Sequence, residues 1–369
     1  MSEPADAEYS EDDEKSLYVD EALTDDTVVP DDYQIASYGA DYDVEGLVRR
    51  IQRGDIFVPS FQRQYMWNQQ EASRFVESLL LGLPVPGIFL ATEPSTGKML
   101  VIDGQQRLKT LQFFYEGSFN PKPDAKTHRL FKLVKVQKPF DGLSYKELDQ
   151  RDRMKLDNAI IHATVIKQEA PKDGDTSIYH IFERLNNGGR RLAGQEIRSA
   201  LYHGALIELL DSLAELPSWR RLFGARSKRE KDEELLLRFF ALHFASSAYE
   251  KPMTEFLNQF AAKNRNPSPE TLDAWRQLVV DTLDLIEKSL GLTAFRIGKP
   301  LNAALCDAIM VGVAARLQHS PAPREDALRK AYQELMASDA FMQAVTRATS
   351  DEQSVSTRLE LARKAFAAT

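Results

Sequence analysis

Apolar residues recur at Val44, Leu47, Val48 and Ile51, one face of a helix, and Gly54 follows as a stop. A short strand is expected at 56–58. The helical spacing returns over 69–81 with Phe75, Val76, Leu79 and Leu80 on one side, until GLPVPG (82–87) breaks it. Apolar runs at 87–91 and 98–102, joined by the turn residues of TEPSTG, predict two strands. The next helix is expected at 105–115, with Leu108, Leu111 and Phe114 among its apolar positions. Further strands are expected at 130–136 and 160–167, around a charged helix at 146–156. Beyond about residue 175 the strand signals fade, and 177–186, 194–214, 233–248, 253–263, 269–290, 300–317, 324–336 and 338–365 all admit helical spacing. PAPRED, from residue 321, is a loop. Without a regular βαβ rhythm the pattern points to an α+β fold: a small mixed sheet with helices, then a mainly α-helical C-terminal domain.

Charge changes the picture at one end. Residues 1–45 hold 16 acidic residues against one lysine, whereas the remaining chain is mildly basic, although the whole carries −8. Such a block with few large apolar residues cannot offset the entropy of ordering. Residues 1–42 are therefore expected to form an acidic disordered tail, ahead of domains at 43–175 and 176–369. The tail is either a solubilising segment or a competitor with nucleic acid for a basic surface on the body. The single cysteine, Cys306, rules out an internal disulfide framework and reads as a buried small hydrophobe. The longest uncharged run, residues 78–92, is broken by prolines and glycines and is too short to span a bilayer. With an acidic rather than a basic and apolar start, the chain is expected to be cytoplasmic, with no membrane segment.

Candidate chemistry centres on VIDGQQRLKT, residues 101–110, where a strand should end and a helix begin. An arginine one turn into a helix, close to the free N–H groups of its N-terminus, can hold a phosphate. Gly104 allows close backbone approach, and Arg107 offers a planar fork for two phosphate oxygens. Asp103 would repel phosphate unless it binds Mg²⁺ or orients water, with Gln105 and Gln106 as neutral partners. One such charged contact supplies about 1.5–3 kcal/mol, whereas micromolar affinity needs roughly 8 kcal/mol. A second contributor is needed, and FQRQYMW (61–67) offers Gln62, Arg63 and Tyr65, with Tyr65 or Trp67 able to stack on a base or wall the pocket. The same letters also fit an ordinary turn, with an Asp cap and an arginine paired to a nearby carboxylate.

VPSFQRQYMW, LLLGLPVPGIFL, VIDGQQRLKTL and IFERLNNGGRRLAGQEIRSALYHG occur in an order that resembles the N-terminal domain family of GmrSD-type restriction endonucleases, within the wider ParB and sulfiredoxin-like group. The resemblance covers about residues 44–204 and extends more loosely toward residue 260 through DEELLLRFFALHF and YEKPMTEFLNQF. It implies a ParB/sulfiredoxin-like nucleotide-binding domain in which the DGQQR segment handles a nucleoside triphosphate, base unspecified, with Mg²⁺. Hydrolysis would be coupled to anti-phage or DNA restriction, acting with DNA or a partner nuclease. Carried over by position, Asp103, Gln105, Gln106 and Arg107 would be catalytic, and Gln62, Arg63, Tyr65, Gly104 and Arg107 would bind nucleotide. The larger restriction enzymes of the family add an HNH-type nuclease domain; here the six histidines are scattered singly and fit no such pattern.

Two other segments admit functional readings. NNGGRR, followed by an apolar helix, is either a helix-to-helix corner or a segment placing Asn186, Arg191 or Arg198 beside the nucleotide. A basic run before Asp232, with Arg226, Lys228 and Arg229, is either a solvated face or a contact for a DNA backbone. Three functions thus compete: a nucleotide-hydrolysing defence component, a nucleotide-binding switch without turnover, and a direct DNA-processing enzyme.

Overall fold

The computed structural model describes residues 18–19, 34–58, 65–93, 96–121, 129–170, 179–181, 193–319 and 323–369. It divides into two compact units, one of Asp31–Leu192 with Ser199–Leu201 and one of Met1–Pro30, Ala193–Arg198 and Tyr202–Thr369. In chain order the strands are β1 (Tyr18–Val19), β2 (Gln34–Asp43), β3 (Ile56–Phe57), β4 (Ile88–Thr92), β5 (Met99–Asp103), β6 (Ile160–Ala170) and β7 (Leu301–Asn302). The α-helices are α1 (Val44–Gln52), α2 (Gln69–Leu80), α3 (Gln105–Glu116), α4 (Gln150–Asp157), α5 (Gly194–Leu201), α6 (Ala205–Ala214), α7 (Pro217–Phe223), α8 (Lys231–Ala245), α9 (Met253–Lys263), α10 (Pro269–Leu290), α11 (Ala303–Leu317), α12 (Glu325–Met336), α13 (Asp339–Thr346) and α14 (Glu352–Ala367).

The first unit is built on a five-stranded sheet of order β2-β6-β4-β5-β3. Its pairings alternate antiparallel, parallel, antiparallel and parallel, so the sheet is mixed and the fold is α+β. The apolar stripes of α1, α2 and α3 close over it: Val44, Leu47 and Val48, then Phe75, Val76 and Leu79, then Leu108, Leu111 and Phe114 are buried with Ile88, Leu90, Val101 and Val165. Asn68 starts α2 with a capping box: its Oδ1 accepts from the N–H groups of Gln70 and Glu71, and Glu71 accepts from the N–H of Asn68.

Two expectations are corrected in this unit. Residues 34–42, assigned to the acidic tail, form all but the last residue of β2, which pairs along its whole length with β6 as an antiparallel edge strand. A charged composition is compatible with an edge strand, because one face and one side of the ladder remain in water. Residues 130–136 form no strand beyond a single bridge between Leu130 and Ser118. Phe131 and Leu133 are buried as the alternation predicts. Their N–H groups, however, go to separate partners, Gly117 and Leu143, and that of Val134 goes to the Ser73 hydroxyl, so no ladder forms.

Among its described residues the second unit is mainly helical, with one parallel strand pair, β1 and β7. α11 is apolar on nearly every side and buried from Ala303 to Ala314, the pattern of a central helix. Cys306 is buried there, and burial pushes its thiol pKa well up. Asp307 on α11 receives Arg238 of α8 through two bonds of 3.1 and 2.7 Å, and Arg358 of α14 at 3.0 Å. The stretches 194–214 and 338–365, expected as continuous helices, are each split in two, at Tyr202–Gly204 and at 347–351. Among the described residues no helix is long and apolar enough to cross a membrane.

Candidate functional site

The turn from β5 into α3 requires glycine twice over. Gly104 has φ +100°, a left-handed conformation, and a Cβ there would lie 2.4 Å from Cγ2 of Ile88. Because Gly104 also occupies the N-cap, no side chain caps α3. The positive end of the helix dipole therefore lies at the turn without a capping carboxylate or hydroxyl on it.

Arg107 lies in the first turn of α3 with its side chain 15% exposed. Its Nη2 donates to Asp103 Oδ2 at 2.7 Å and to the carbonyl of Gly87 at 3.0 Å. The ordinary pairing of this arginine with a nearby carboxylate is thus realised. Its Nε is buried and has no hydrogen-bond partner among the described residues, and the same holds for Oε1 of Gln105. Asp103 is half-exposed, at 51% of its side chain. The arrangement is a guanidinium held through one nitrogen by two acceptors, with donor capacity left over on Nε, beside an accessible acid.

Gln106 takes another part. Its Oε1 accepts from the backbone N–H groups of Met66 and Trp67, at 3.0 and 3.3 Å. One helical turn on, the hydroxyl of Thr110 meets that of Tyr65 at 2.7 Å and donates to the Gln106 carbonyl. The FQRQYMW and DGQQR segments, 40 residues apart, are therefore joined through Tyr65, Met66 and Trp67. Gly87 and Thr110 were missed in the sequence. Gly87 acts through its carbonyl, which carries no sequence signal, and Thr110 showed only as a polar residue on an apolar helix face.

Other candidates are relocated. Tyr65 is buried at 8% and makes T-shaped contacts with Phe113 and Phe119 at 5.1 and 5.7 Å. Burial pushes its phenol up to about 12, and it is a core residue rather than a ring presented to a base. Arg198 is 2% exposed and donates to Glu234 at 2.5 Å and to Gln195 at 2.9 Å, which commits it to an internal ion pair instead of a phosphate. Gln62, Arg63, Asn186 and Arg191 lie outside the described residues. The basic run is not a free cationic face. Arg226 contacts Asp211 at 2.6 Å, Glu233 at 2.5 Å and also Glu215, while Arg229 pairs with Glu196 at 3.1 Å. Lys228 remains exposed. Burial, reinforced by Glu230, pushes Glu233 up to about 8 against the pull of Arg226. Among the described residues no group of three or more His, Cys, Asp or Glu side chains could hold a metal ion.

Residues 44–203 match the family described as GmrSD restriction endonuclease, N-terminal domain. The uncharacterized protein MJ0686 of Methanocaldococcus jannaschii is similar to this chain, 29% identical over 110 residues, which is 23% of this chain and 19% of its own length. The chain thus spans about a fifth of that relative. The matched stretch contains the whole β5-to-α3 turn, the segment it holds and four of the five strands of the sheet, β2 lying ahead of it. Residues 44–203, somewhat under half of the chain, are therefore similar to the GmrSD restriction endonuclease N-terminal domain.

Proposed function

We propose that this protein binds a nucleoside triphosphate at the Asp103–Arg107 turn and hydrolyses it as part of a cytoplasmic restriction or phage-defence system, acting with DNA or with a separate nuclease. The observation that carries the reading is Arg107, anchored to Asp103 and Gly87 in the first turn of a helix that no side chain caps. Helix-terminal N–H groups and a preorganised guanidinium are complementary to phosphate oxygens. The family match of residues 44–203 supports the restriction context; a ParB/sulfiredoxin-like character for the sheet is part of the same proposal.

Asp103 is the carboxylate placed to meet a metal carried by the nucleotide. Mg²⁺ is commonly held by one or two carboxylates together with substrate phosphates and water, so a single accessible acid fits such a role. When bound, the ion would supply charge neutralisation at the phosphates. The chain's own residues do the rest: Arg107 holds phosphate oxygens, Gly104 lets the backbone come close, and Asp103, released from Arg107, can orient a water.

A second reading, a nucleotide-operated switch without turnover, is favoured by the Asp103–Arg107 ion pair itself. Phosphate and Asp103 compete for one guanidinium, so occupancy would shift the pair between two states. The test is phosphate release from ATP, GTP, CTP and UTP with Mg²⁺, with and without DNA, for the wild type, Arg107→Ala and Arg107→Lys. The hydrolase reading expects turnover of at least one nucleotide, reduced roughly 100-fold or more in Arg107→Ala and only partly restored by lysine, which lacks the fork. Binding that Arg107→Ala abolishes, with no turnover in the wild type, selects the switch. Equal turnover in wild type and Arg107→Ala removes the turn from the chemistry.

A further inference from the structure

Met66 is 73% exposed, and yet its backbone N–H is bonded, at 3.0 Å, to the side chain of a residue 40 positions away. The same oxygen of Gln106 accepts from Trp67 at 3.3 Å. On one side of this pair of bonds the Tyr65 and Thr110 hydroxyls meet at 2.7 Å. On the other side the Asn68 capping box begins α2. Four consecutive residues, Tyr65 to Asn68, are therefore fastened, and the two outer fastenings are local or buried features of the fold. The middle one is a glutamine of the DGQQR motif, at the second position of α3.

We infer that Gln106 is a positioning residue: its side-chain oxygen clamps the Tyr65–Trp67 backbone to the first turn of α3, and it serves the phosphate turn through that segment. The inference deepens the nucleotide reading above and rests on it for the ligand, whereas the clamp itself stands on geometry alone. The chemistry is that of an acceptor. A side-chain carbonyl with two lone pairs can take both N–H groups, which neither a donor nor an apolar side chain of the same length can do. The two consecutive glutamines of the motif are thereby set apart, since Oε1 of Gln105 is buried with no partner among the described residues while that of Gln106 holds two.

Two substitutions test this in the full chain. Gln106→Glu keeps an oxygen at the same reach and so keeps the clamp; Gln106→Leu removes the acceptor. Amide hydrogen exchange at Met66 and Trp67, read without any nucleotide, is expected to quicken about tenfold or more in Gln106→Leu, the equivalent of about 1.4 kcal/mol, and to stay near wild type in Gln106→Glu. Circular dichroism controls for the fold of both. Unchanged exchange in Gln106→Leu overturns the clamp whether or not the protein binds nucleotide. Affinity for Mg²⁺ complexes of ATP, GTP, CTP and UTP is then compared. Positioning expects Gln106→Leu to weaken the preferred nucleotide about tenfold and Gln106→Glu to remain within about threefold of wild type. The reverse order, with Gln106→Glu the weaker because its charge meets the phosphates, overturns positioning and makes Gln106 a direct ligand.

Discussion

At Gly104 a positive φ and a 2.4 Å approach to Ile88 act on one Cα. Gly104→Ala should therefore destabilise the chain by about 3 kcal/mol, combining backbone strain with overpacking. Urea denaturation measures this; a loss below about 1 kcal/mol would mean that Ile88 and the turn relax together. The strand-to-helix turn and the place of the motif on it were legible in sequence, whereas the choice between a phosphate site and an ordinary turn was left open there. Their partners were not. That Arg107 reaches Gly87, that Tyr65 is a core ring and that Arg198 pairs with Glu234 all depend on residues 20 to 45 positions away. No local pattern carries that information.

At the scale of elements the basic run shows the same limit more sharply. Arg220, Arg221, Arg226 and Arg229 meet Asp232, Glu287, a cluster of Asp211, Glu215 and Glu233, and Glu196, respectively. Several of these acids come from other helices, so a run that reads as a cationic patch folds into a neutralised one. An Arg226→Ala, Lys228→Ala, Arg229→Ala triple variant should leave DNA affinity within about twofold in a salt titration. It should instead lower stability by roughly 2 kcal/mol, because buried carboxylates lose their partner; a steep loss of salt-dependent binding would restore the DNA-contact reading. On α8, burial, with a smaller contribution from Arg363, holds His243 down to about 4. As pH falls from about 6.5 toward 4, the unfolded chain takes up a proton that the folded one refuses, so folded stability is lost across that window. Compared with His243→Phe, the wild type should lose on the order of 1–2 kcal/mol more between pH 7 and 4.5 by denaturant titration, a figure reduced for the partial exposure of the ring. An identical pH profile for the two proteins would mean that the imidazole protonates without penalty.

For the whole molecule, the strand Gln34–Asp43 decides how the N-terminal segment is to be treated. Deleting residues 1–43 removes β2 and bares the backbone of β6, an edge open to pairing with another chain. That deletion should lower the melting temperature and produce association in size-exclusion chromatography, whereas deletion of residues 1–17 should do neither. Equal behaviour of the two truncations would show that β2 is dispensable. Periodicity alone determined most of the architecture: the helices of both units, the strands β3 to β6, the α+β class and the strand-turn-helix that presents DGQQR. These follow from local repeats of 3.6 and 2 residues, and the burial of one face enforces them. Only the tertiary structure decided which polar groups face one another. It made an edge strand of an acidic stretch, a bonded loop of the apolar 130–136, a neutral surface of an arginine run and a clamp of Gln106. In each case the outcome depended on partners remote in the chain, whose distances are set by packing rather than by spacing along the sequence.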